Sequence, residues 1–370
     1  MKIERIEQFH IAMRLKQPFE TSFGREELLE KIIVAVYAEG LVGYGESPVE
    51  PLPLYSYETV ETCWHVQRDA LIPLLFGAEI EHASDLPTRF TPVRGHPMAK
   101  AGLEAAVWDL EAQMAGVPLA KLIGGVRTRV EVGVSIGIQG SVEELLERIA
   151  EYRAQGYRRI KVKIKPGWDA DVLAAVRTHY PDIPLMADAN SAYTLDDLPL
   201  LRSLDAFDLL MIEQPLAYDD LLDHATLQRD LLTPICLDES ITSPRRAREA
   251  LALHACGIIN IKPPRVGGIT AAQAIHDLCN QRDVPVWCGG LLETGIGRAA
   301  NLAVAALPNF VLPGDISASD RYWEQDIVEP PFVLNADGTM NVPQGVGLGV
   351  TVVRERLEAA TLRRASYPQD

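Results

Sequence analysis

The chain has 370 residues, 47% of them hydrophobic, and a formal net charge of −16. That length holds two domains, or one large barrel with an appendage. The acidic balance argues against nucleic acid or an anionic membrane as partner, and no apolar run reaches the roughly 18 residues that a membrane span needs.

The first residues, MKIERIEQFHIAM, lack the apolar core of a signal peptide. Five cysteines (Cys63, Cys236, Cys256, Cys279 and Cys288) are scattered without a CxxC pair. Buried thiols in a reducing, cytoplasmic compartment are the expectation. Residues 1–125 read as an α+β module. KIIVAVYAEGLVGYGES (31–47) gives two strands joined through Glu39-Gly40, and residues 57–75 and 98–115 read as helices. The polar stretch ETSFGRE (20–26) is either a lid or an ordinary surface loop.

From about residue 130 a period sets in. Short apolar runs alternate with amphipathic stretches: VEVGVSIGI (130–138), RIKVKI (159–164), IPLMAD (183–188), DLLMIE (208–213), TPICLD (233–238), GIINIK (257–262), VPVWCGG (284–290) and FVLPGD (310–315). Their polar ends, Lys163, Asp188, Glu213, Asp238 and Lys262, fall 25, 25, 25 and 24 residues apart. Such spacing is the footprint of repeated βα units. Helix signals fill the gaps. Ser141 and Glu144 read as a capping box, Gly156 as a helix stop, Ser243-Pro244 as an N-cap with first helical residue, and Thr194 as a cap before Leu195. No G-x-G-x-x-G follows the first strand, which weakens a doubly wound open sheet. The expected fold is α/β, a modified (β/α)7β TIM-type barrel over residues 126–324, capped by the module 1–125, with residues 325–370 completing the cap.

Active sites of such barrels form at the C-terminal strand ends, so the five polar ends surround one mouth. Any single acidic strand end is ordinary; three at equal spacing on successive strands are not. Asp188, Glu213 and Asp238 would repel one another unless a hard cation sat among them, and an all-oxygen set suits Mg²⁺, with Mn²⁺ as a substitute. No His or Cys stands at these ends, which argues against zinc. In YRRIKVKIKPGWD (157–169), strand alternation turns Lys161 and Lys163 to one face and Ile160, Val162 and Ile164 to the other. Lys165 falls past the strand end. Lys163 on the second strand and Lys262 on the sixth stand opposite each other. Burial beside other positive charge is expected to lower their pKa values toward those of general bases, and Lys161 should lower Lys163 further. The bland alternative, lysines that only neutralise carboxylates, explains one lysine better than two opposed ones. A metal-bound carboxylate acidifies the neighbouring carbon, and a lysine that removes its proton leaves an enediolate.

These residues resemble the enolase superfamily, in the K-x-K pair, DAN, EQP, DES and KPPRVGG, and in AGLEAAVWDLEAQMAGVPLAKLIGG (101–125) of the cap. A lysine on both the second and the sixth strand is the pattern of the muconate lactonising enzyme subgroup. GGLLETGIGRAANLAVAALPNF (289–310) and LPGDISASDRY (312–322) are similar to the branch of o-succinylbenzoate synthases and N-succinylamino acid racemases. The resemblance implies a Mg²⁺ enzyme for a small carboxylate substrate. It would dehydrate 2-succinyl-6-hydroxy-2,4-cyclohexadiene-1-carboxylate, a menaquinone-pathway step, or racemise N-succinyl or N-acyl amino acids, or do both. It implies Asp188, Glu213 and Asp238 as metal ligands and Lys163 as the base and the acid for the departing hydroxyl. Lys262 is the opposite acid/base in racemisation and an electrostatic stabiliser in dehydration. Lys161 and Asn190 support the substrate carboxylate and the metal shell. Ser135, Gly290, Leu292 and Phe23 are candidate contacts for the succinyl group or ring. Arg265 either tunes Lys262 or is a surface charge at a helix start. A homo-oligomer is also implied.

Other readings stay open: a cycloisomerase or dipeptide epimerase of the same subgroup, a metal-free Schiff-base lyase with Lys163 as nucleophile, and a non-catalytic barrel. Dipeptide epimerases carry D-x-D at the eighth strand; here Asp315 is followed two residues on by Ser317, which counts against that activity.

Overall fold

The structure is a computed structural model that describes residues 1–368 apart from 23 and 78. Strands β1 (Arg5–Glu20) and β2 (Arg25–Ala38) form a long antiparallel hairpin, and β3 (Leu41–Ser47) pairs with β2. The β2–β3 turn is the expected Glu39-Gly40, both in the left-handed region (φ 52° and 73°), as a tight two-residue hairpin requires. The expected helix over 57–75 is a helix at Val60–Val66 that widens into a π turn at Gln67–Leu71 and tightens at Ile72–Leu74. Helix α1 (Pro97–Ala115) is apolar on most faces because both sides are covered. It lies so close to β3 that a Cβ on Gly45 would stand 2.0 Å from the Gly102 carbonyl oxygen. Strand β1 and the part of β2 before residue 31 escaped the sequence reading. The outer half of the hairpin alternates polar and exposed residues, so burial leaves no apolar pattern there.

The barrel strands are β4 (Gly133–Ile136), β5 (Arg159–Lys163), β6 (Leu185–Asp188), β7 (Ile212–Glu213), β8 (Ile235–Leu237), β9 (Ile258–Ile261) and β10 (Val286–Cys288). They make one parallel sheet in the order β10-β9-β8-β7-β6-β5-β4. The expected eighth strand, FVLPGD, is not a continuous ladder. It touches both sheet edges at single points, with Phe310 bridging Val286 and Gly314 bridging Val132. Pro313 has no N–H to donate, which interrupts the ladder. The Asp315 amide donates to the Cys288 carbonyl (2.9 Å) and the Gly133 amide to the Gly314 carbonyl (2.7 Å), so the segment still links first strand to last.

Helix α2 (Val142–Gln155) starts and stops as its sequence suggests. Ser141 Oγ accepts the Glu144 amide (3.2 Å), and Gly156 ends it at φ 112°. The Glu144 carboxylate, though, turns to the Gly140 amide (3.0 Å), so the capping box is not reciprocal. Ser243 caps the helix Pro244–Ala252. Two further helices, α3 (Ile269–Asn280) and α4 (Gly295–Ala305), receive carboxylates from the N-terminal half at their N-termini. Glu104 of α1 accepts the Ile269 and Thr270 amides (both 2.8 Å), and Glu46 of β3 accepts the Gly297 amide (3.0 Å) and the Thr294 hydroxyl (2.7 Å). Carboxylates at helix N-termini meet unpaired amides and a favourable dipole. The chain closes on β11 (Thr361–Pro368), which pairs with the free edge of β1.

Candidate active site

Strand alternation does what the sequence promised. Ile160, Val162 and Ile164 are fully buried in the layer shared with α2, while Lys161 and Lys163 point inward. Below them the barrel interior is plugged by Met186, Met211, Cys236, Ile258 and Trp287. The Lys161 ammonium lies 5.1 Å from the Trp287 ring centre. Lys163, Lys161, Asn190 and Lys262 line one chamber with Ser135, Gly290 and Leu292, so the structure gathers those sequence candidates. Phe23 lies outside the described residues. The chamber has a cavity volume of about 70 Å³. A wider cleft of about 500 Å³ beside the hairpin, reaching Gln139 and Tyr152, contains none of the five strand-end groups.

Asp188 and Glu213 sit side by side in register on β6 and β7. Each carboxylate is paired with a cation. Lys163 reaches Asp188 (2.6 Å) and Asn190 Oδ1 (2.5 Å), and Lys161 reaches Asp188 (3.0 Å), Glu213 (2.9 Å) and Asp315 (2.6 Å). Lys262 reaches Asp238 (2.8 Å), whose other oxygen takes the Arg265 guanidinium. Among the described residues no three ligating groups converge on a single point as they stand. A cation would draw Asp188, Glu213 and Asp238 away from these ammonium partners. The donor set suits a hard divalent ion: three buried carboxylates, with Glu239 beside them holding one oxygen that has no partner.

Burial works to raise the Asp188 carboxyl, but the Lys163 and Lys161 ammoniums outweigh it and hold it far below the ordinary range. Glu213 goes the other way, raised by burial and by the Asp188 charge. Burial lowers Lys163, opposed by Asp188 and helped by Lys161, as expected of a base. Lys262 contradicts the expectation. Burial lowers it, yet the Tyr55 oxygen, Glu213 and Glu239 prevail and hold it above the usual lysine value. Arg265 is buried, donates to the Ile241 carbonyl (2.8 Å) and shares Asp238 with Lys262, so it is no surface charge.

Several site residues escaped the sequence reading. Tyr55, from the loop after β3, accepts from Lys262 (2.9 Å) and donates to Asp238 (3.2 Å). Glu239 accepts from Asn190 (2.9 Å), and burial pushes its carboxyl up to about 7. Asn260 donates to Glu213 (2.6 Å), and Arg159 pairs with Asp315 (2.6 Å). Arg159 and Asn260 each stand two residues before a site lysine, so strand alternation already placed them on the inward face. Nothing in local sequence marks Tyr55. Gly289 serves the site by having no side chain: a Cβ there would stand 2.7 Å from Lys262 Cε.

Comparison with known proteins agrees with this arrangement. Residues 144–356 match the enolase C-terminal domain-like family, and residues 5–124 match the N-terminal domain of mandelate racemases and muconate lactonizing enzymes. The chain belongs to the enolase superfamily. It is similar to an o-succinylbenzoate synthase from Geobacillus kaustophilus, 55% identical over 98% of this chain and 96% of that one. It is also similar to an N-succinylamino acid racemase from Thermus thermophilus, 49% identical over 98% of both. An enolase superfamily member from Listeria innocua superimposes with a TM-score of 0.97 at 42% identity, covering all of both chains. Residues of the cap and of the barrel mouth together line one chamber.

Proposed function

We propose that this enzyme removes the proton α to a substrate carboxylate, and that it acts as an o-succinylbenzoate synthase that also racemises N-succinylamino acids. The observation that carries this reading is the pair of buried lysines, Lys163 and Lys262, brought from the second and sixth barrel strands to one chamber above three carboxylates. The names of the relatives support the two activities. Asp188, Glu213 and Asp238 would hold Mg²⁺, which when bound stabilises the negative charge of an enediolate. Lys163 takes the α-proton. In dehydration the same ammonium returns it to the departing hydroxyl as water, while Lys262 stays cationic and faces the developing charge. In racemisation Lys262 exchanges the proton on the opposite face. The five cysteines are all unpaired and buried, which supports a reducing cytoplasmic setting. A homo-oligomer and a place in menaquinone synthesis belong to the same reading.

The test is α-proton exchange in D₂O with Mg²⁺, followed by NMR on each enantiomer of an N-succinylamino acid, beside a spectroscopic assay for the aromatic dehydration product. Exchange and inversion of both enantiomers support two working bases. Dehydration without exchange would remove the racemase half of the proposal, and absence of both would end it.

A further inference from the structure

The cap contributes an acidic wall to the chamber. Glu26 lies on β2, opposite Phe19 across the hairpin, and Glu50 lies just past β3 at a bridge to Thr59. Both line the same space as Lys163 and Lys262, yet neither forms an ion pair among the described residues. Lys31, on the same wall, gives its ammonium to the Leu291 carbonyl (3.1 Å) and closes no ion pair with either. Burial and the Glu26 charge push the Glu50 carboxyl up to about 7, and burial raises Glu26. Lys31 attracts both carboxylates and Lys262 attracts Glu50, yet neither outweighs the burial; two acidic groups that close no ion pair are costly in a partly dry cavity, and a further positive charge between them lowers the cost. A second observation marks the same cavity as one that takes a ligand: Ser135, only 8% exposed, lines it with a hydroxyl that has no partner.

We propose that Glu26 and Glu50 receive the cationic side chain of the substrate, so that N-acylated arginine and lysine are the preferred amino-acid class. This rests on the racemase reading above. The α-carboxylate faces the lysines and carboxylates of the strand ends, and the side chain extends toward the cap. A guanidinium or ammonium there restores the charge balance of the wall; a neutral side chain of equal size does not.

The experiment compares N-succinyl-arginine with N-succinyl-citrulline, its neutral isostere, in the Mg²⁺-loaded full-length enzyme. The expected wild-type ratio of kcat/KM is tenfold or more in favour of arginine, carried mainly by KM. Glu50→Gln and Glu26→Gln should each shrink the ratio several-fold, and the double variant should bring it near one. A wild-type ratio near one, or a ratio unchanged in the double variant, overturns the proposal. A folding defect lowers both substrates together and leaves the ratio intact. If neither compound turns over, the racemase reading fails by itself. The ratio of dissociation constants from calorimetric titration then decides the wall by the same criteria.

Discussion

Replacing Lys262 with alanine, and separately Lys163 with alanine, divides the chemistry by face. The structure sets the size of the effect. Loss of Lys262 leaves Asp238 with Arg265 and the Tyr55 hydroxyl, and loss of Lys163 leaves Asp188 with Lys161 at 3.0 Å. Neither change strands a buried carboxylate, so the fold should survive at less than the ~3–5 kcal/mol that breaking an isolated buried pair costs. Circular dichroism checks that point. What is lost is proton transfer, worth about 10²–10⁴ in rate, or ~3–5 kcal/mol of barrier. In D₂O each variant should therefore lose exchange with one enantiomer by at least about 100-fold and keep exchange with the other, the two variants being mirror images. A Lys262→Ala enzyme that slows both enantiomers equally would show that Lys262 acts only through its charge. One that slows neither would show that the chamber is not where the proton moves.

Four further outcomes follow from the same geometry. Tyr55→Phe keeps the ring and removes the bonds to Lys262 and Asp238, so exchange on the Lys262 face should slow about 3–10-fold, ~1 kcal/mol, measured with the single enantiomer that reports that face. Glu104→Ala deprives the Ile269 and Thr270 amides and the Thr270 hydroxyl of their acceptor and should cost about 3–5 kcal/mol in urea unfolding. Glu58 accepts the Met98 and Ala99 amides, and burial nonetheless pushes its carboxyl up to about 7. Its folded-state pKa is raised, so its contribution is full below about pH 4.5 and is lost as pH rises toward 7, by ~3 kcal/mol; Glu58→Gln should remove that slope in unfolding measured between pH 5 and 8. Chelation with EDTA should abolish activity, and added Mg²⁺ or Mn²⁺ should restore it; full turnover in excess chelator would favour metal-free lysine chemistry.

The barrel was legible because its strands are buried on both sides and repeat, so the 25-residue spacing of polar ends survives as a pattern. The inward lysines followed from alternation alone. What local sequence could not give are contacts made by distant segments. Tyr55 reaches Lys262 across 207 residues, and β11 pairs with β1 across more than 300 with an evenly alternating, half-exposed face. The charge state of Lys262 was misread for the same reason: Tyr55, Glu213 and Glu239, which hold its proton, arrive from three other places in the chain.

That division has a physical consequence for how selectivity and chemistry are separated. Lysines and carboxylates stand on strand ends locked by sheet hydrogen bonds, where a shift of one residue would turn them away from the mouth. The cap is held by Glu46 and Glu104 on the N-termini of α4 and α3, away in sequence from the hairpin tip. At the mouth the Ile138 amide donates to the Glu20 carbonyl (3.0 Å) and the Ser22 hydroxyl to the Asn190 carbonyl (3.2 Å), while Leu15, Leu29 and Phe19 of the hairpin pack on Tyr322, Trp323 and Leu292. Glu26 and Glu50, unlike Tyr55 of the same loop, make no ion pair or hydrogen bond to the clamps or the strand ends, so these two side chains can be exchanged while both stay in place. Substitutions there should change which substrate is held while leaving intact the groups that move its proton. Substitutions at the clamps should weaken turnover of every substrate alike, because they loosen the cap that closes the chamber.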